Sequence, residues 1–196
     1  LVSSSDQATS VGFLSDTLMV ARKESTLSRY DVSDPRTIRE IGTQPLGALT
    51  VVAPFWPGEM FALAPRGGPL ATPLKLFTGT TGPLTLKQDI AVGGWVSRVD
   101  FNASGQQLVA VMQNGGAKIF STADGAPGYQ FTQRVERAVF AGGADRLVAI
   151  VPKKRTAEDV DDEVVLYDTK TGEALKRTVY QLRLNDLVAS PDRRLV

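Results

Sequence analysis

VDFNASGQQLVAVMQNGGAKIFSTADG, Val99 to Gly125, holds two short apolar runs and a third half-apolar one, each separated from the next by a turn. The pattern returns as AVFAGGADRLVAIV, Ala138 to Val151, followed by EVVLYDTKTGE, Glu163 to Glu173. Runs this short, bounded by Gly, Asn, Asp and Pro, read as strands. No segment keeps an apolar period of three to four residues over several turns, so the pattern speaks against helices.

Aligning the runs on Phe101 places VSRVDFNASGQQLVAV above VERAVFAGGADRLVAI without a gap. The same column runs through Phe13, Ala53, Phe140 and Ala189, with successive spacings of 40, 48, 39 and 49 residues from Phe13 onward. A period of about 40 to 50 residues built only of short strands is the mark of four-stranded propeller blades. In the third repeat the strands are expected over Val96–Phe101, Gln107–Met112, Ala117–Ser121 and Tyr129–Gln133, joined by NASG, QNGG and ADGAPG. Asn and Gly suit such joints because they tolerate positive φ. An aromatic closes the third strand at Tyr30, Phe120 and Tyr167, followed by Asp31, Ser121 and Asp168.

The expected fold class is therefore all-β, a β-propeller of four-stranded antiparallel blades. Residues 1–196 form one propeller region, with repeats over about 8–46, 47–94, 95–133 and 134–181 and a partial repeat over 182–196. Residues 1–7 fit the outer strand of a preceding blade. Four full blades in an open arc would leave two blade faces in water, so the chain reads as part of a larger ring of about seven blades, roughly 300 residues long. A five-bladed ring whose last blade lacks its outer strands, a pair of β-sandwiches and a solenoid are the alternatives.

YDVSDPRTIREIG resembles blades of bacterial propellers whose repeats read YDVSDP, and VVLYDTKTGEALK is similar to the third strand, turn and fourth strand of WD-repeat and YVTN-type propellers. ASPDRRLV, Ala189 to Val196, resembles the first turn and second strand of a WD repeat. The Gly-His and Trp-Asp pairs of that family are missing, so the resemblance implies the architecture and not a subfamily.

Composition removes whole classes of chemistry. The 196 residues contain no Cys and no His, which excludes disulfides, thiolate nucleophiles, Ser-His-Asp triads, histidine bases and His- or Cys-bound zinc. Carboxylates, Lys and Tyr remain as acid-base groups, and oxygens as ligands for calcium or magnesium. Lys plus Arg number 22 against 21 Asp plus Glu, a net charge of +1, so no overall field draws nucleic acid or an anionic membrane. No apolar run reaches the roughly 18 residues that span a bilayer, and LVSSSDQ lacks the regions of a signal peptide. The first residue is Leu and not Met, so the compartment stays open, with an intracellular one favoured.

Propellers bind through loops at the blade ends, where the approaches to the innermost strands converge. Two columns of the alignment meet there: Gln7, Gly47, Trp95, Arg134 and Arg183, and three residues on, Ser10, Thr50, Arg98, Arg137 and Asp186. Trp95, Arg98, Arg134, Arg137 and Arg183 are the expected partner-binding residues, since Trp and Arg anchor interfaces and Arg offers planar paired donors to carboxylate or phosphate. The structural alternative is that these arginines are solvated or pair with Asp100, Glu136 and Asp186 while Trp95 packs between blades. PKKRTAEDVDDE, Pro152 to Glu163, reads as a mobile solvated loop. PFWPGE, Pro54 to Glu59, reads as an aromatic turn that packs on a neighbour, and APRGGP and TGTTGP as turns and not phosphate loops.

The functional expectation is a non-catalytic scaffold that assembles with protein partners, without catalytic residues, cofactor, metal, nucleic-acid partner or membrane span. Any missing part of the ring would come from the same chain or a partner. The alternative is a periplasmic or secreted propeller that binds a small molecule or metal, or a carboxylate enzyme using Asp100 and Asp186 at the channel mouth. In the opening stretch, Val99 and Phe101 are expected to face a blade interface, and Arg98 and Asp100 to point away from it toward the channel.

Overall fold

The computed structural model describes residues 10–23, 25–46, 49–55, 60–65, 72–79, 84–143, 145–156, 160–190, 193–194 and 196. Among them the strands are β1 (Ser10–Ser15), β2 (Leu18–Lys23), β3 (Thr26–Asp31), β4 (Arg39–Pro45), β5 (Leu49–Phe55), β6 (Met60–Pro65), β7 (Leu74–Thr78) and β8 (Thr85–Ile90). They continue as β9 (Val96–Phe101), β10 (Gln107–Met112), β11 (Ala117–Ser121), β12 (Pro127–Phe131), β13 (Arg137–Phe140), β14 (Arg146–Arg155), β15 (Val160–Asp168) and β16 (Ala174–Tyr180). Consecutive strands pair antiparallel into four four-stranded sheets, β1–β4, β5–β8, β9–β12 and β13–β16. Two compact units result, Leu1–Gly93 and Gly94–Val196, each holding two sheets.

Burial follows the order of strands within a sheet. The second strands, β6 and β10, are buried almost throughout, which is why MFALA and LVAVM are continuous apolar runs and not alternating ones. The fourth strands, β4, β8 and β16, are mostly exposed, and REIGTQP and TLKQDI are correspondingly polar.

In the first unit a core of Leu14, Leu18, Val20, Leu27, Leu46, Phe61, Leu63 and Phe77 joins the two sheets, with Phe61 and Phe77 stacked at 5.5 Å. In the second, Val109, Val111, Ile119 and Phe131 meet Ala138, Phe140, Leu147, Val165 and Tyr167. Tyr129, Phe131 and Tyr167 pack edge to face in succession, with ring centroids 4.9 and 5.0 Å apart. Each such pair contributes about 0.5–1.5 kcal/mol beyond its buried area. Gly172, at φ +71, lets the Tyr129 ring approach so closely that a Cβ there would lie 1.7 Å from the ring.

The recurring residue after the third-strand aromatic is a turn former. Asp31 Oδ1 accepts from Ser33 N–H at 2.9 Å, Ser121 Oγ from Ala123 N–H at 3.3 Å, and Asp168 Oδ1 from Lys170 N–H at 2.9 Å. One side-chain oxygen thus caps the backbone two residues on in three sheets, a local need that explains the repeated Tyr-Asp and Phe-Ser without any role in binding. Asp168 also accepts from Thr171 N–H, and these two amides, that of Thr171 first, hold its carboxyl below the ordinary value.

One sequence expectation is corrected. At its described ends, 152–155 and 160–163, the segment Pro152 to Glu163 is not a solvated loop: β14 and β15 carry the ladder out through Pro152↔Asp162, Lys154↔Asp161 and Arg155↔Val160. Asp162 and Glu163 are buried at 0% and 6% exposure, and Glu163 accepts from Arg177 at 2.9 Å. Extending the hairpin satisfies backbone groups that a loop would leave to water, and Asp162 and Glu163 are spent inside it. In the partial repeat expected over 182–196, residues 183–190 carry no strand pairing. Single contacts tie the segment down, Leu184 N–H donating to Asp162 Oδ2 at 2.7 Å and Arg193 C=O accepting from Gly142 N–H.

Candidate functional site

The candidate site lies wholly in the second unit. A cleft of about 370 Å³ is lined by Ser97, Met112, Gln113, Gly115, Arg134, Val135, Glu136, Arg137, Arg183, Leu184 and Asn185. Three of the five expected binding residues, Arg134, Arg137 and Arg183, share it.

Each arginine arrives by a different route. Arg134 precedes β13, and its aliphatic stem crosses the β10–β11 turn at Gly115, where a Cβ would stand 2.6 Å from Arg134 Cγ. Gly115 also sits at φ +88, and its carbonyl accepts from Val135 N–H, so the turn and the stem fix each other. Arg134 Nη2 lies 3.3 Å from Glu136 Oε1, yet its side chain is 65% exposed. Arg137 opens β13; its Nη1 donates to the Glu136 carbonyl at 2.8 Å, and its Nε stands 3.6 Å from Asp186 Oδ1. Arg183 follows β16 and is exposed. The cleft therefore combines one braced guanidinium with two that reach into solvent.

Arg98 lies beside this cleft and not in its wall. Both its terminal nitrogens donate to the Asp186 carboxylate, Nη2 at 3.3 Å, and Nη1 also donates to Leu187 C=O at 3.2 Å. Arg98, foremost by its hydrogen bond, holds the Asp186 carboxyl below the ordinary carboxylate value, with help from Leu187 N–H and from Arg137. Column mates of successive repeats thus meet, as Arg98, Arg137 and Asp186. Trp95 stands before β9 at 41% exposure and takes no part in the cleft; its carbonyl accepts from Gln113 N–H.

Asp100 shares the strand face of Arg98, opposite the buried Val99 and Phe101, and its carboxylate is engaged by the fold. Its Oδ2 accepts from Phe140 N–H at 2.9 Å and from the Arg193 guanidinium, which joins the inner strands of two neighbouring sheets. An apolar inner strand offers few ways to satisfy an amide facing the next sheet, so a carboxylate there is consumed by the fold. Arg193, the second half of this pair, stands in the turn position that Gly105 fills in the third repeat and shares its positive φ, 59 against 68°, but nothing in the sequence marks its pairing with Asp100. Gln113, Leu184 and Asn185 were equally unmarked, since they line the cleft without belonging to either column.

Phe55 closes β5 at 8% exposure, in keeping with a packing aromatic, whereas Trp56 lies outside the described residues. So do most of APRGGP and TGTTGP. Among the described residues no group of three or more Asp and Glu is gathered as metal ligands would be, and no helix is long and apolar enough to cross a membrane.

No protein-family model matches the chain, and no curated protein matches it. Solved structures do. Hydrazine synthase of Kuenenia stuttgartiensis matches 92% of this chain and 51% of its own at 14% identity, with a TM-score of 0.69. KlHsv2 with loop 6CD replaced by a Gly-Ser linker matches 91% and 55% at 13% identity and a TM-score of 0.65. Hsv2 of Kluyvelomyces marxianus matches 92% and 56% at 14% identity and a TM-score of 0.63. The chain has the β-propeller fold. At such identities the likeness carries the fold alone, and the chain spans about half the length of these solved chains.

Proposed function

We propose that this chain is a non-catalytic propeller segment that serves as a binding platform, holding an acidic segment of a partner protein in the cleft of Arg134, Arg137 and Arg183. The observation that carries the reading is the convergence of three guanidiniums on one open cleft whose single wall carboxylate is Glu136. Arginine at an interface combines contact area with paired donors that match carboxylate and phosphate geometry.

The carboxylates that a metal-binding or hydrolytic propeller would use are engaged elsewhere. Asp100 is held by Phe140 N–H and Arg193, and Asp186 by Arg98 and Leu187 N–H. The presence of a hydrazine synthase among similar folds carries architecture and not its chemistry. Further blades, in the same chain or a partner, would pack on β1, where Val11 and Phe13 are 57% and 52% exposed on the face opposite Leu14.

The test is comparative affinity purification of the full chain from its own cells. The wild type, an Arg134→Glu plus Arg183→Glu variant and an Arg36→Glu control are quantified side by side. The reading requires a stoichiometric partner retained by the control and lost by the cleft variant. A partner retained equally by all three refutes it.

A further inference from the structure

The charge balance of the cleft selects among acidic ligands. Arg134, Arg137 and Arg183 face it with Glu136 as the sole acidic wall residue, while Arg98 and Asp186 neutralise one another beside it. Two positive charges are therefore in excess. A carboxylate side chain brings one negative charge, whereas a phosphate monoester brings about −1.5 to −2 at neutral pH together with three acceptor oxygens. Arg137 is already oriented by the Glu136 carbonyl and Asp186, so part of the ordering cost of a bound oxyanion is met before it arrives. Arg134, 65% exposed and paired with Glu136 at 3.3 Å, can exchange that carboxylate for a doubly charged ligand.

We propose that the cleft is a phosphoresidue site: it recognises a phosphorylated serine or threonine in an extended segment of the partner, with Arg137 as the fixed anchor and Arg134 and Arg183 closing on the phosphate. This rests on the acidic-segment reading above and narrows it. Glu136 acts as an internal placeholder that keeps Arg134 in place and is displaced on binding. The site would thus discriminate against singly charged segments, which repay the loss of the Arg134–Glu136 contact poorly.

The experiment uses the full chain and short degenerate peptide pools that differ only at the central residue, phosphoserine, glutamate or serine, read by fluorescence anisotropy. The phosphoserine pool is expected to bind about tenfold more tightly than the glutamate pool, the worth of one further charge-assisted hydrogen bond. Arg134→Glu plus Arg183→Glu should abolish that binding with the circular dichroism spectrum unchanged. Glu136→Gln should tighten it about threefold, since removing an opposing charge nearby favours the anion; a misfolded variant could not mimic that gain. Equal binding of the phosphoserine and glutamate pools overturns the phosphate preference and leaves the acidic-segment reading standing. No binding of either pool by the folded chain overturns both. Displacement of the peptide by inorganic phosphate at equal concentration overturns a protein-borne ligand in favour of the free ion.

Discussion

Asp100→Ala offers the sharpest test of how the second unit is joined. Asp100 and Arg193 have side chains only 18% and 16% exposed, and Asp100 also accepts from the amide of the fully buried Phe140. Truncation leaves that amide without its acceptor, at a cost of about 1–3 kcal/mol. It also leaves a mostly buried guanidinium without its carboxylate, for which about 3–5 kcal/mol is the fully buried limit. Residual solvent access lowers the second contribution, so the sum should be about 3 kcal/mol. Asp100→Asn keeps an acceptor for Phe140 and loses only the charge, and should cost about 1–2 kcal/mol. The assay is urea unfolding followed by circular dichroism, completed by a double-mutant cycle with Arg193→Met. Because Met leaves no charge to strand, the double variant should be less destabilised than the sum of the singles by about 1–2 kcal/mol. A cost below about 1 kcal/mol for Asp100→Ala, or strict additivity with Arg193→Met, would show that the pair does not hold the two sheets together.

Gly115→Ala should cost about 1–2 kcal/mol from the left-handed backbone alone. Because the new methyl also displaces the Arg134 stem, it should weaken phosphoserine-pool binding severalfold by anisotropy; unchanged binding would separate the turn from the site. Tyr167→Phe removes the hydroxyl that accepts from Gln133 Nε2 at 2.7 Å. It should lower unfolding stability by about 1 kcal/mol, with the edge-to-face ring contacts retained. Asp186→Asn should show its effect only away from acid. The folded carboxyl titrates below the ordinary carboxylate value, chiefly because of Arg98, so its contribution is complete above that ordinary value and drains as pH falls through the folded one. Wild type and variant should therefore differ in urea midpoint near neutrality and converge in strong acid, and a gap as large at pH 3 as at pH 7 would contradict the assignment.

Hairpin geometry was legible because local chemistry decides it. Val96–Phe101, Gln107–Met112 and Ala117–Ser121 are the strands that the turn residues delimit. The turn glycines Gly105, Gly115 and Gly125 take φ of 68, 88 and 72°, as their place in the sequence requires. The fourth strand slipped, from the expected Tyr129–Gln133 to Pro127–Phe131, because Ser121 N–H donates to Ala126 C=O and closes the turn early. Its exposed face supplies no burial pattern to fix the register. The hairpin beyond Pro152 was missed for a related reason: a run of charges reads as solvent-facing unless its partners are known, and Arg177, which takes up Glu163, stands on β16.

The binding columns show where such reasoning stops. Equivalent positions of a repeat occupy equivalent places, so Arg98, Arg137 and Asp186 could be grouped from spacing alone. What spacing cannot assign is which charges cancel. Asp186 is the one member of its column with opposite sign, and it takes up Arg98 and leans on Arg137, turning one expected binding residue into a structural pair. Arg183 comes to the cleft beside its column mate Arg134, although 183–190 carry no strand pairing. Its segment is held by Leu184 on Asp162 and by Asp186 on Arg98. The excess of positive charge there follows from which column members are arginine and which carboxylate is spent on a neighbour. The place to look for ligand selectivity in this chain is consequently the residues that hold this segment, Asp162 and Asp186, as much as the arginines themselves.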